Sequence, residues 1–263
     1  MSLLTVLVAL ALRHGGWLDE PAALAGQLLR RWRDAGLERG QRAGWSGGLQ
    51  LALVAGLPLL VLALLLLLAQ GRWGFLFEAL LGVLVLGLAL LDRERPDVLT
   101  RAQTEWASET DAVTGAGMAG LGLRRRELLA EQFRGLFLPL LCFIVLGPLL
   151  VLAAYLLRLL AESEAVPTPA RRLQHWLEWP AARVLALGFA LAGDFSATWA
   201  QWRQQAGDTA LPALDTVEDA ALAAQPLLPG QAAPEALAAT AALLHRTLVL
   251  WVVLLALHTL LAF

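Results

Sequence analysis

The chain has no lysine and no asparagine, and it has one cysteine and one tyrosine. Each absence removes some chemistry. Without lysine there is neither a Walker-type phosphate loop nor a Schiff base. A lone thiol, Cys142, builds no disulfide framework, and its place inside an apolar run argues against thiolate chemistry. Charge is scarce as well: charged residues are 16% of 263, against roughly a quarter in soluble domains, and the net charge is −2. No basic stripe is present for a nucleic-acid backbone to follow. The four histidines (His14, His175, His245, His258) show no ligand spacing with one another or with Cys142, so no metal site is expected. No nucleophile elbow or Ser-His-Asp order supplies a catalytic residue.

Apolar residues, by contrast, reach 58% and are gathered in blocks, the pattern of membrane spans. Leu49 to Ala69 carries no charge, and its Pro58 is tolerable in a membrane helix. Gly74 to Leu91 follows after the short link "QGRW", which predicts an antiparallel hairpin. A third span covers Phe137 to Leu160, where Gly147 and Pro148 should kink the helix or split it in two. Thr247 to Phe263 makes a fourth. Ser2 to Leu12 would reach only about 17 Å as a helix, short of the roughly 30 Å hydrocarbon core. It also lacks a basic n-region and a cleavage site, so it reads as a retained interfacial or re-entrant helix. Trp73 and Trp251 sit near span ends, as interfacial aromatics do.

The expected fold is therefore all-α: a polytopic membrane protein with about four transmembrane helices, a short N-terminal interfacial helix and helical extramembrane segments. Its segments are 1–48, the interfacial helix and a basic stretch; 49–91, the hairpin; 92–134, a basic loop; 135–160, the kinked or re-entrant span; 161–243, an amphipathic helical region; and 244–263, the last span. Arg13, Arg30, Arg31, Arg33, Arg39 and Arg42 load the first basic segment. Arg93, Arg95, Arg101, Arg124, Arg125, Arg126 and Arg134 load the second, whereas the hairpin link holds only Arg72. The positive-inside rule places both basic segments in the cytoplasm. Region 161–243 is periplasmic if the third span crosses fully and cytoplasmic if that span is re-entrant. Within it, "RRLQHWLEWPAARVLALGFALAGDF" reads as a surface helix, a Trp-Pro break and a semi-apolar helix. A short helix is expected between Gly207 and Ala233, and a final helix starts near Pro234 and runs toward the last span.

Three groups of residues invite a chemical reading. "GAGMAG", Gly115 to Gly120, matches G-x-G-x-x-G, but the polar, helix-like stretch before it lacks the strand a dinucleotide site needs. A hinge between two helices is expected there instead. In "RRRELLAEQFR", Glu127, Glu131 and Arg134 fall at i, i+4 and i+7 on one helix face beside Leu128 and Leu129. That face reads either as a polar site at the membrane surface or as an anchor with ordinary ion pairs. Glu78, Arg158 and His258 are the acidic and basic residues inside the expected spans, and none is an acid near the midplane, which disfavours proton-coupled transport.

Three stretches carry a resemblance. They are "FRGLFLPLLCFIVLGPLLVLAAYLLRLL" with its Gly-Pro break, the segment Arg172 to Phe195 with Trp179, Pro180, Ala181, Ala182, Arg183 and Val184 in a Trp-Pro-Arg motif, and "LLHRTLVLWVVLLALHTLL" at the C-terminus. Together with the early hairpin, they resemble the AmpE family. The resemblance implies an inner-membrane regulatory protein linked to the amidase AmpD, β-lactamase induction and cell-wall recycling. AmpE in turn is similar to the CobD/CbiB membrane proteins, which are ATP-dependent amide synthases. Their acidic motifs are largely missing here: the loop after the hairpin reads "LDRERPDVLT", the third span opens on "AEQFRG", and an aspartate pair is replaced by "QHWLEW".

The resemblance thus leans away from catalysis: no catalytic residue, no metal and no cofactor are expected. It points to ligand binding at Glu127, Glu131, Arg134, Trp179 and Arg183, with structural breaks at Gly147, Pro148 and Pro180. Expected partners are the lipid bilayer and either AmpD or a wall fragment, with a homodimer among the assemblies allowed and no nucleic acid. Two other readings stand beside this one, an amide-forming enzyme of the CobD/CbiB type and a scaffold for AmpD.

Overall fold

The computed structural model describes residues 5–9, 11, 19–68, 74–91, 115–161, 168–226 and 233–261. Every regular element among them is helical and no strand occurs, which matches the all-α expectation. The chain forms two interleaved compact units, one from Met1–Arg93 with Leu138–Leu177, the other from Glu94–Phe137 with Glu178–Phe263. Three helical stretches are long and apolar enough to cross a membrane: Gly47–Leu68, Gly120–Leu146 and Glu235–Leu257. Ala79–Leu90 and Pro148–Ala161 are apolar but shorter. Three such stretches, rather than four, stand among the described residues. The "QGRW" turn, region 92–114 with Arg93, Arg95 and Arg101, and the side chains of Glu78 and His258 lie outside them.

In the first unit, helix α1 (Asp19–Arg42) ends in a Schellman turn. Trp45 N–H donates to Gly40 O and Gly44 N–H to Gln41 O, with Gly44 at φ +65° in the left-handed region that a glycine enters without strain. Ser46 then caps α2 (Gly47–Val54), accepting from Leu49 N–H. A one-residue turn separates α2 from α3 (Gly56–Leu68), and Pro58 explains it. The proline has no N–H to give the carbonyl four residues back, Val54 O. The indole of Trp32, on α1, donates to that carbonyl instead at 3.0 Å. Gly36 of α1 lets the two helices close, since a Cβ there would lie 2.6 Å from Val54 Cγ2.

Helix α4 (Gly74–Leu91) packs Leu86 and Leu90 inward, while Gly82 admits the edge of Phe143 from α6 (Leu138–Leu146). The Gly-Pro break falls as the residues require. Gly147, at φ +69°, closes α6, and Pro148 opens α7 (Pro148–Ala161), where a proline costs nothing because first-turn N–H groups have no intrahelical partner. The expected third span is thus split in two. Its second half, at 14 residues, is about 21 Å long and too short to cross a bilayer alone.

In the second unit, α5 (Gly115–Gln132) begins on the glycine-rich run, so Gly115–Gly120 is helix rather than the expected hinge. The helix then widens into a π turn at Phe133–Phe137. Pro139 follows, and its missing N–H leaves Gly135 O without an i+4 donor, so a local change of register is expected there. Helix α8 (Thr168–Ala192), whose residues from Glu178 onward belong to this unit, runs through Pro180 without interruption, which corrects the expected Trp-Pro break. Pro180 and Trp176, the residue whose carbonyl loses its donor, both lie on the exposed side, so the helix accepts a proline there without burying an unpaired carbonyl. The unit continues with α9 (Phe195–Gln205), α10 (Ala213–Ala224) and α11 (Ala233–Leu261). The short helix α10 and the long last helix match expectation. Leu128, Leu129, Phe133, Phe137, Phe189 and Leu243 form the core.

Candidate functional site

All five residues expected to bind a ligand belong to the second unit, but the structure sorts them into different roles. Arg134, on the π turn, forks onto Glu178 of α8: Nε donates to Oε1 at 2.9 Å and Nη2 to Oε2 at 3.2 Å. A guanidinium matches a carboxylate in this paired fashion, which fixes both side chains. Glu178 is nearly buried and Arg134 is part-exposed; its Nη1 takes no part in the fork. One turn back on α5, Glu131 is half-buried, and its Oε2 is shut away without a hydrogen-bond partner among the described residues. Glu127 is exposed. The orphaned Glu131 oxygen thus stands one helical turn along the chain from the Arg134–Glu178 fork.

Trp179 and Arg183 are occupied differently. The Arg183 guanidinium lies 3.8 Å over the Trp179 ring, a cation–π contact at helical i, i+4 spacing. Its nitrogens donate to four backbone carbonyls: Nε to Ala206 O, Nη1 to Trp179 O, and Nη2 to Gln205 O and Asp208 O. Two of those carbonyls, Gln205 O and the C-cap Ala206 O, finish α9, where the helix leaves its last C=O groups unpaired and its dipole is negative, and Asp208 O follows in the loop. Trp179 Nε1 donates to Asp208 O as well, at 3.0 Å. Burial pushes the Arg183 guanidinium below its usual value while Asp208 acts the other way, and an arginine stays charged at neutral pH regardless. Arg183 closes a helix end.

The same device recurs twice. In the first unit Arg33 Nη1 donates to Leu159 O at the end of α7, at 2.7 Å. In the second, Arg125 reaches the end of α10, donating to Ala221 O at 2.9 Å and Gln225 O at 3.5 Å, and is only 2% exposed. Its neighbour Arg126 pairs with both Asp215 and Glu218 of α10. Arg125 and Arg126, expected at the membrane surface, are therefore held by the protein itself. Asp219, the remaining acid of α10, accepts from Gln205. Among the described residues no group of His, Cys, Asp or Glu is arranged to hold a metal ion.

Sequence reading passed over three features. Glu178 sits inside the quoted "QHWLEW", yet its pairing with Arg134 spans 44 residues and leaves no local trace. The helix-capping role of Arg125 spans 96 and leaves none either. The third did leave one: Phe195, Trp199 and Trp202 recur at i, i+4 and i+7 on α9, and their rings stack, with centroids 5.9 and 5.1 Å apart and planes within 9° and 11°.

The fold defines a class, an all-helical protein with helices long and apolar enough to span a membrane. Comparison with known proteins finds no matching family model, no similar curated protein and no similar solved structure.

Proposed function

We propose that the protein is an AmpE-type regulatory protein of the bacterial inner membrane, acting in β-lactamase induction and cell-wall recycling by binding a ligand or partner at Glu131, Arg134 and Glu178. The observation that carries the site is the orphaned Glu131 oxygen one turn from the Arg134–Glu178 fork. A buried carboxylate oxygen without a partner costs free energy, and such a cost is tolerated where a donor is to arrive. The unpartnered Glu131 oxygen favours a ligand that brings it an N–H or ammonium group, and the part-exposed Arg134 favours an acceptor on the same ligand. A wall fragment, an amino sugar carrying a short peptide, has both. The capping bonds of Arg183 and Trp179 assign those two residues to holding the frame of the site.

The test is replacement of the chromosomal copy by Glu131→Gln, with Glu127→Gln as the exposed control, at matched membrane protein level. Impaired β-lactamase induction in Glu131→Gln alone is expected. Unchanged induction in a full deletion would overturn the regulatory reading. A deletion phenotype with normal induction in Glu131→Gln would overturn the site alone.

A further inference from the structure

The aromatic stack on α9 is built for a different surface. Phe195 is 52% exposed and Trp199 36%, although rings of that size are ordinarily buried or set at an interface. The stack does not stand alone. Leu191, on the last turn of α8, and Val184, two turns earlier, are exposed too, so an apolar ridge runs from α8 onto α9. On the other side of α9, Thr198 is buried and Gln205 bonds Asp219, which ties that side to α10. The polar residues Arg203 and Gln204 are exposed at the end of the helix. Eleven residues make α9 about 17 Å long, well short of a bilayer crossing.

Two observations identify what covers the ridge. The first is continuity with a span. Gly188, one turn before Leu191, lets α8 approach α11 so closely that an added Cβ would sit 2.7 Å from Thr247 Cγ2 and 3.0 Å from Trp251 Nε1. Thr247 and Trp251 lie within Glu235–Leu257, a stretch apolar enough to cross a membrane, whose Val249, Val253, Leu254 and Leu257 point outward. The ridge therefore begins beside residues that already require an apolar solvent.

The second is the way the rings are presented. Trp199 stacks in near-parallel, offset fashion with both Phe195 and Trp202, so the three rings form one slab and share their faces with one another. Trp202 is pinned in addition by its indole N–H, which donates to Arg183 O. Exposed aromatic rings beside exposed aliphatic side chains, with an arginine at the helix end, suit the boundary between acyl chains and anionic headgroups.

We infer that α9 lies in the membrane interface, with Phe195 and Trp199 at the level of the glycerol and upper acyl chains and Gln204 toward water. This surface is separate from the Glu131–Arg134–Glu178 group, and the inference does not depend on the function proposed for that group. Spin labels at Phe195→Cys and Gln204→Cys, in the full-length protein reconstituted into vesicles containing anionic phospholipid, test it by collision with oxygen and with a water-soluble nickel chelate. Cys142 is buried and leaves the background low. The expected result is an oxygen-to-nickel ratio several-fold higher at 195 than at 204. Equal, nickel-dominated ratios would put α9 in water and overturn the inference. Low access for both reagents at 195 would mean that protein, such as a second copy, covers the ridge, and would overturn it equally. Leu191→Cys is the second probe, outside the stack, and must report the same environment as 195.

Discussion

Arg134 and Glu178 hold each other by both arms across 44 residues of chain, tying the π turn to the middle of α8. Glu178 is the buried partner, so removing the arginine takes both arms of the fork from a buried carboxylate, whereas removing the glutamate leaves a part-exposed cation that can find water. Arg134→Ala should cost about 1–3 kcal/mol of stability and Glu178→Gln less, discounted for the exposure of Arg134. Thermal unfolding of the detergent-solubilised protein checks this. Equal losses in the two variants would contradict the asymmetry.

Arg183→Lys keeps the charge and loses the geometry. A lysine ammonium cannot reach four carbonyls from one planar group, so the end of α9 should fray. The expected loss is about 1–2 kcal/mol, with faster hydrogen exchange confined to residues 201–208. Exchange unchanged in that window would show that the helix end is held by other contacts.

Two glycines of α8 and its exit separate by the kind of neighbour they face. Gly188→Ala drives a methyl into the side chains of Thr247 and Trp251, a strain of about 1–3 kcal/mol. Adding Thr247→Ser removes the obstructing methyl, keeps the hydroxyl bond to Leu243 O, and should restore part of the loss. Gly193→Ala meets the backbone carbonyl of Ala224 at 2.6 Å, and no side-chain trimming can relieve it. Calorimetry of the three variants reads the contrast directly.

Neighbouring arginines should differ as well. Arg125→Ala leaves the carbonyls at the end of α10 without their buried donor and should cost about 1–3 kcal/mol. Arg126→Ala breaks a part-exposed pairing with Asp215 and Glu218 and should cost about 1 kcal/mol or less, with a dependence on salt. Denaturation at low and high ionic strength distinguishes them.

What was legible in the sequence follows the range of the forces involved. The apolar blocks, the Gly147-Pro148 break, the short helix after Gly207 and the long last helix all depend on neighbours within a few residues, and all are present. The expected break at Pro180 is absent because Pro180 and Trp176 lie on the exposed side, where water can take the freed carbonyl, and exposure is a tertiary property. Glycines 115 to 120 suggested a hinge, yet they form the first turns of α5 in the chain as folded. The arginines were the least legible. Their partners are backbone carbonyls, which every residue has, so no sequence pattern distinguishes an arginine that caps a distant helix from one that faces a phosphate.

The interleaving of the two units sets an order of events during synthesis. Arg125 and Arg126 leave the ribosome about ninety residues ahead of α10, which supplies their carbonyls and carboxylates. At roughly 5–20 residues per second that is a wait of about 5–20 s. Throughout it the two arginines are bare charges on a nascent chain, and bare charges are what the translocation machinery weighs when it orients a span. The contacts by which these side chains fasten α5 to α10 therefore close late, once the C-terminal half arrives.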